Sequence, residues 1–366
     1  MNVKKKIVHI LPNLSKGGAE RFTVDLCNAL SADREAEVHL VSLYKNQSGS
    51  TFRDDIANGV TYHELDKKNG FDFAIIGQLY KLLRKIRPDV VHTHLNGFEY
   101  ALPYKLVSGR TRFVHTLHSD AFKECDISFF RKARRVAYRL RLVQPVTISR
   151  ESAESFNACY GLKNDVLIEN GRKAAEKTSQ YDQIIAQYKG VEKGTLLVCV
   201  GRITKEKNQE LLIDAVNNLA AKGLFSGKLL IIGAVQDEQV YAKLQQKASD
   251  CVEFVGMKSN VADYLFAADA FCMSSIYEGM PLSIIEAFSV GCVPVSTAVG
   301  GINDMITHGV TGFLSRDMSV AAYEEALLAC LQSENLPGIR EACKNEFIQK
   351  YRIEVCAAKY SALYGK

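Results

Sequence analysis

The chain of 366 residues lacks any run of about 18 to 20 consecutive apolar residues, the length a helix needs to cross a bilayer. No membrane-spanning helix is expected, and any membrane contact would be peripheral. Its ten cysteines never occur as C-x-x-C, the spacing of metal sites, and Cys199, Cys272 and Cys292 sit inside apolar runs. They read as reduced core thiols of a cytosolic protein. Low-complexity tracts are missing too, while 47% of residues are apolar and 24% charged, so the chain is globular rather than disordered. Lys4, Lys5 and Lys6 precede an apolar run at 7–11 that is too short for an export signal and has no small-residue cleavage site. That run is expected to be a buried first strand.

The length exceeds what one compact core supports, so two domains are expected. Short β-branched runs alternate with amphipathic stretches, the pattern of parallel sheets built from βαβ units. In the first half strands are expected at 6–11, 37–43, 60–64, 90–93, 112–117, 145–148 and 166–168, with helices at 19–30 and 75–86 among the connections. The second half restarts with 195–200, 228–232, 252–255, 270–273, 293–296 and 312–314. Glu169-Asn170-Gly171 and the polar stretch to Gly194 read as linker and lead-in helix. The expected division is 1–170 and 171–346, with a C-terminal helix at about 347–366 crossing back to the first domain. Charge is uneven: residues 1–170 carry 26 Lys and Arg against 19 Asp and Glu, whereas 171–366 carry 20 against 22. The basic half should face something anionic.

The sharpest local feature runs from Ser275 through Glu278-Gly279-Met280-Pro281-Leu282-Ser283 to Glu286 and Phe288, from a strand end through a loop into a helix. Pro281 suits the first helical position and Gly291 the C-terminal stop. Free N–H groups at such a helix start suit a diphosphate or sugar hydroxyls. Glu278 would lie just before the helix and Glu286 two turns inside it. Two carboxylates can each accept paired hydrogen bonds from vicinal hydroxyls, although a loop carboxylate and a solvated helix Glu would look the same in sequence. Upstream, Gly201-Arg202 leaves a strand and Lys205-Glu206-Lys207 enters a helix. The glycine permits close backbone approach, and Arg202 and Lys207 could neutralise a diphosphate without a metal, or be ordinary solvated cations.

Taken in order, GGAERF near the N-terminus, His118 at a strand end, IENG at 168–171, VGRITKEKN, EGMPLSIIEAF with its E-x7-E spacing, and VGGINDMI followed by GVTGFL resemble the retaining glycosyltransferases of family four. The resemblance covers nearly the whole chain. It implies the GT-B fold, in which two Rossmann-like α/β domains with parallel sheets face each other across a cleft. It also implies transfer of a hexose-type sugar from a UDP- or GDP-sugar, with retention, to a glycan or lipid-linked saccharide in cell-surface polysaccharide synthesis. Residue by residue, the resemblance assigns the donor diphosphate to Arg202 and Lys207 beside Gly201, and the ribose to Glu286. It assigns the transferred sugar to Glu278 and His118, and the supporting loop to Gly279, Met280, Pro281, Leu282 and Ser283, whose backbone N–H groups, absent only at Pro281, complete the grip. The base would lie near Met257, and Gly17 and Gly18 would form a loop over the phosphates, unless they merely make a tight strand-to-helix turn.

His118 would end its strand where such sheets present residues to ligands. His92 and His94 end another strand, with His94 a candidate for the acceptor side, and the direction of His115 depends on where its strand bends. No Asp-x-Asp occurs, so no metal and no cofactor are expected; the nucleotide sugar is substrate. Departures from the family pattern are Arg172-Lys173 after Asn170-Gly171, and Asp304 after Gly300-Gly301.

Residues 129–143 place apolar side chains at 129, 130, 133, 136, 137, 140 and 143 on one helical stripe, with Arg or Lys largely elsewhere. Such a helix suits an anionic membrane surface, which would put a cytoplasmic enzyme at the inner face of the membrane; a core-packed helix with a basic solvated face is the other reading. No nucleic-acid recognition module accompanies it, so nucleic acid is not an expected partner. Rival classes are a non-catalytic nucleotide-sugar-binding scaffold of the same fold, and an epimerase or phosphorylase.

Overall fold

A computed structural model describes residues 4–45, 51–189 and 194–365. The chain forms two compact units, Met1–Lys173 with Arg352–Lys366, and Ala174–Tyr351. Part of the polar stretch expected as linker, residues 190–193, lies outside the described residues.

The first unit is built on a parallel sheet of β1 (Lys5–Leu11), β2 (Ala36–Ser42), β3 (Val60–Glu64), β4 (Val90–His94), β5 (Arg112–Thr116), β6 (Gln144–Thr147) and β7 (Val166–Leu167), in spatial order 3-2-1-4-5-6-7. Its helices are α1 (Gly18–Ser31), α2 (Phe73–Ile86), α3 (Gly97–Val107), α4 (Ala121–Glu124), α5 (Ser128–Arg139) and α6 (Arg150–Tyr160). The second unit carries α7 (Tyr181–Tyr188) and then a parallel sheet of β8 (Thr195–Val200), β9 (Gly227–Ile232), β10 (Val252–Gly256), β11 (Ala270–Met273), β12 (Val293–Thr297) and β13 (Phe313–Ser315), in order 10-9-8-11-12-13. Around that sheet lie α8 (Gln209–Ala221), α9 (Glu238–Lys247), α10 (Val261–Ala267), α11 (Leu282–Val290), α12 (Ile302–Met305), α13 (Val320–Leu331) and α14 (Leu336–Glu346). A π-helical turn, Phe347–Tyr351, ends this unit, and α15 (Ile353–Gly365) belongs to the first.

Central strands of the second sheet, such as β8 and β11, read as nearly continuous apolar runs, as strands buried on both faces do, whereas β1, β4 and β5 of the first sheet carry buried histidines among their apolar residues. Ile75, Leu79, Leu83 and Ile86 recur at helical spacing on α2 and are all buried, each contributing about 1.5–3 kcal/mol of transfer free energy. Asp72 caps that helix by accepting from the Ala74 N–H at 3.0 Å, and α15 is pinned to the first sheet by two tyrosine hydroxyls. The Tyr360 hydroxyl lies 2.9 Å from Thr116 Oγ1 and that of Tyr364 lies 2.6 Å from His92 Nδ1. All ten cysteines are free thiols, and eight are buried.

One helix departs from its sequence reading. On α5 the expected apolar stripe splits: Ala137 turns inward with Tyr138, while Phe129, Val136 and Leu140 stay outside at 74%, 55% and 62% exposure. Arg134 is buried instead, at 1% exposure, because carboxylates from two other elements meet it: its Nε donates to Glu99 Oε1 at 2.7 Å, and Glu124 Oε1 lies 3.6 Å from its Nη1. Burial works against its charge, yet these carboxylates hold its pKa well above the usual value. The core-packed reading therefore holds for Ala137 and, past the helix end, Val143, which join the core with Tyr138, and not for Phe129, Val136 and Leu140.

Candidate functional site

In an open parallel sheet, ligands bind beyond the carboxyl ends of the strands where the strand order reverses. In the second unit that point lies between β8 and β11, which pair directly. The residues after these two strands are the ones the sequence singled out, Gly201 to Lys207 and Ser275 to Ser283.

The loops are tied together by backbone and side-chain bonds. The Ile276 N–H donates to the Glu206 carbonyl at 2.8 Å, and Ser274 Oγ donates to the Lys207 carbonyl at 3.2 Å. From the β12 side, Thr297 Oγ1 donates to the Ser275 carbonyl at 2.7 Å and the Gly301 N–H to the Glu278 carbonyl at 3.1 Å. The Gly300-Gly301 loop thus fixes the backbone of Glu278. Within this frame Lys207 Nζ lies 2.5 Å from Glu278 Oε1, which also accepts from Ser275 Oγ at 2.6 Å. Both members of the ion pair are half-buried. Gly201 lies beside the Lys207 stem, with room for a Cβ at 3.6 Å. Arg202 is exposed just past β8, and its carbonyl accepts from Gln209 Nε2 at 2.9 Å.

Pro281 is the N-cap of α11, not its first helical residue, and Gly291 ends the helix in the left-handed conformation, φ 72°. Proline leads the chain in at extended ψ, so the helix begins one residue later. Glu286 is accordingly the fifth residue of the helix, just over one turn in rather than two. No side chain caps this helix start. Gly279, Leu282 and Ser283 are half-buried beside it, and Met280 and Pro281 are buried. Uncapped N–H groups and the positive dipole end, next to Lys207, make this corner suited to an anion. Met257, 49% exposed, follows β10 on the outer side of the same sheet.

In the first unit the strand order reverses between β1 and β4. Gly17 and Gly18 open α1 there. Neither has a positive φ, and Gly18 has open space around it, so a tight turn is not what requires them. Gly17 as N-cap leaves that helix start without a side-chain cap as well.

His118, half-buried, heads a chain of imidazoles: its Nε2 lies 2.9 Å from His94 Nδ1, and His94 Nε2 lies 3.1 Å from His9 Nδ1. His9 Nε2 is buried without a partner. Burial pushes the pKa of His118 down to about 4 and that of His9 to about 3, and holds His92 and His94 well below 6.5. These rings are therefore neutral near pH 7, and the proton order along the chain decides whether His118 presents a donor or an acceptor at Nδ1.

Glu124 accepts from the His118 backbone N–H at 2.6 Å and lies 3.2 Å from His115 Nε2. Burial alone would raise its pKa, but the bond to His115 and the nearby charges bring it below the ordinary range. His115 faces α3 and α5, against Phe98 and Tyr138, so it is not part of the imidazole chain and reaches His118 only through Glu124. Sequence reasoning missed His9 and Glu124, because neither sits in a motif. His9 lies inside β1, and Glu124 ends a four-residue helix. Arg172, a departure from the family pattern, pairs with Asp25 of α1, which Arg21 also holds at 2.7 Å.

Residues 180–348 match the family Glycosyl transferases group 1, and residues 16–173 match Glycosyltransferase Family 4. The fold is GT-B: a crystal structure of Anabaena Alr3699/HepE in complex with UDP and glucose superposes with a TM-score of 0.82 at 18% identity, covering 99% of this chain and 100% of that one. Among curated proteins, the capsular polysaccharide biosynthesis glycosyltransferase CapH of Staphylococcus aureus is 27% identical over 80% of this chain and 81% of its own length. The UDP-Gal:alpha-D-GlcNAc-diphosphoundecaprenol alpha-1,3-galactosyltransferase of Escherichia coli is 24% identical over 80% and 79%. The chain is a GT-B, family-four-like glycosyltransferase.

Proposed function

We propose that this enzyme transfers a hexose-type sugar, with retention and without a divalent metal or other cofactor, from a nucleotide diphosphate sugar to a glycan or lipid-linked saccharide in cell-surface polysaccharide synthesis. The observation that carries the reading is the Lys207–Glu278 pair beside an uncapped helix start at the sheet's switch point. Lys207, with two further N–H donors, and Arg202 would bear the charge accumulating on the departing diphosphate. Glu278 would bind hydroxyls of the transferred sugar and Glu286 those of the ribose, with backbone N–H groups from Gly279 to Ser283 around them. On the first unit, His118 and Gly17-Gly18 would serve the sugar, the phosphates and the acceptor. Because the leaving phosphate oxygen can take the acceptor's proton on the same face, the protein's work is positioning and charge stabilisation.

The relatives' printed substrates, a capsular polysaccharide and a lipid diphosphate saccharide, support the acceptor class. UDP in the structural neighbour and in the galactosyltransferase's name favours a uridine donor over guanosine. The outward Phe129, Val136 and Leu140, next to Lys132, Arg135 and Arg139 on the same side of α5, support peripheral contact with an anionic bilayer. The test is a panel of uridine and guanosine diphosphate sugars followed by thermal shift and by nucleotide release. Stabilisation and slow release with at least one donor are expected. Binding with no turnover across saccharide acceptors would instead make the chain a scaffold.

A further inference from the structure

At the amino-terminal edge of the first sheet, opposite to the edge that carries His118, lies a cavity of about 400 Å³. Lys105 from the end of α3, Arg112 from the start of β5 and Arg141 from the turn between α5 and β6 surround it, with Phe113, Gln144 and Asn164. No carboxylate lines this cavity, and none of the three cations has an ion-pair partner among the described residues. Arg112 Nε is buried with no hydrogen-bond partner, a donor open to an anion, whereas Asn164 Oδ1, also without a partner, is an acceptor that suits a hydroxyl of the ester rather than its phosphate. Three cationic side chains around one cavity, with no carboxylate in its lining, offer an anion converging donors.

Two further features point the same way. Arg141 adopts the left-handed conformation, φ 55°, which glycine or asparagine would occupy with less strain. The turn thus places an arginine where sterics alone favour a smaller residue. Lys105 is held at the rim by donating to the Thr111 carbonyl at 2.9 Å, over the Phe113 ring at 5.6 Å, and partial burial lowers its pKa with no acid nearby to restore it. Leu106, Val107 and Leu140, all more than half exposed, adjoin the lining cations in sequence.

We propose that this cavity is a binding site for a phosphate ester, with Arg112 and Arg141 gripping the phosphate and Lys105 closing one side. Guanidinium forks match phosphate oxygens in pairs, and Lys adds a point charge. Two sources offer this chemistry: a soluble sugar or glycerol phosphate, and the headgroup of an anionic phospholipid whose chains would lie on Leu106, Val107 and Leu140. The site is remote from the strand ends assigned to transfer, and so does not depend on that assignment.

The experiment uses the full chain and two probes. Glycerol 3-phosphate is titrated by calorimetry, and flotation is measured with phosphatidylglycerol–phosphatidylcholine vesicles and with phosphatidylcholine alone. Arg112→Gln with Arg141→Gln should weaken binding of whichever probe is recognised by roughly 25-fold, at about fivefold per cation near a surface. Leu106→Ser with Val107→Ser, neither on the bilayer-facing side of α5, should lower vesicle binding and leave glycerol 3-phosphate binding unchanged. Binding of the soluble ester alone assigns the soluble source, and binding of anionic vesicles alone, lost in the arginine variant, assigns the lipid. If neither probe binds, or if both bind the arginine variant as tightly as the parent, the proposal is overturned. Should the double variant fold poorly, Arg141→Gln alone, on an exposed residue, should still weaken binding about fivefold. Donor turnover should be unchanged in every one of these variants, which separates failure here from failure of the transferase reading.

Discussion

Replacing Lys207 with alanine separates the catalytic part of the account from the structural part. The substitution removes the group that holds Glu278 Oε1 at 2.5 Å, but Ser275 Oγ still donates to that oxygen at 2.6 Å. The two side chains keep 25% and 12% of their surface in contact with solvent, so water can replace much of what is lost. A stability cost of about 1 kcal/mol is expected, or a fall of about 2–4 °C in Tm for a unit of this size. The effect on transfer should be far larger. A charge placed where negative charge develops in the transition state is worth about 2.7–4 kcal/mol, so kcat at saturating donor should fall by about 10²–10³. Nucleotide release at saturating donor and acceptor, with scanning calorimetry on the same preparation, measures both. Lys207→Arg, which keeps the charge at a longer reach, should recover part of the loss. A kcat within twofold of the parent in Lys207→Ala, or a loss no greater than the unfolded fraction explains, would refute this role.

Arg134→Ala should be much more damaging to the fold, because it strands Glu99 and Glu124 in the interior of the first unit. Removing one partner from a buried charge cluster costs about 3–5 kcal/mol, and a Tm lower by roughly 10 °C is expected in calorimetry. Acid should weaken the same unit. His9, His92, His94 and His118 all have folded pKa values below the ordinary 6.5, so the unfolded chain binds protons that the folded chain refuses. Stability is therefore complete above about pH 7 and is lost as pH falls from about 6.5 toward 4. Each neutral ring contributes up to about 1.4 kcal/mol per pH unit in that window. Urea titrations at pH 7.5, 6 and 5 check this, and a free energy independent of pH would contradict the burial of these rings.

Inner strands of the second sheet were legible because strands buried on both faces are apolar almost throughout, and 195–200 and 270–273 fall on observed strands end to end; 60–64, an edge strand reading Val-Thr-Tyr-His-Glu, was legible from its β-branched and aromatic residues instead. Helix ends were less so. Pro281 fits either the cap or the first helical position, and only the backbone path decides between them. The polarity of α5 was not legible at all. A wheel drawn from one segment places every arginine outside, whereas Arg134 is drawn inward by Glu99 and Glu124, which are 35 and 10 positions away in the chain. The same limit hid the imidazole chain: His94 and His118 stood out at strand ends, but their link to His9 exists only because β1 and β4 are neighbours. The Lys207–Glu278 contact spans 71 positions, and it was foreseen only as two separate loops.

The central claim is that cationic side chains of the second unit stabilise the departing diphosphate in a transfer that keeps the anomeric configuration. It is tested most directly by following one reaction, from an α-linked nucleotide sugar, by proton NMR with and without EDTA. The account predicts an α-linked product that forms at the same rate with chelator present. A β-linked product, or a rate abolished by EDTA and restored by Mg²⁺ or Mn²⁺, would contradict it.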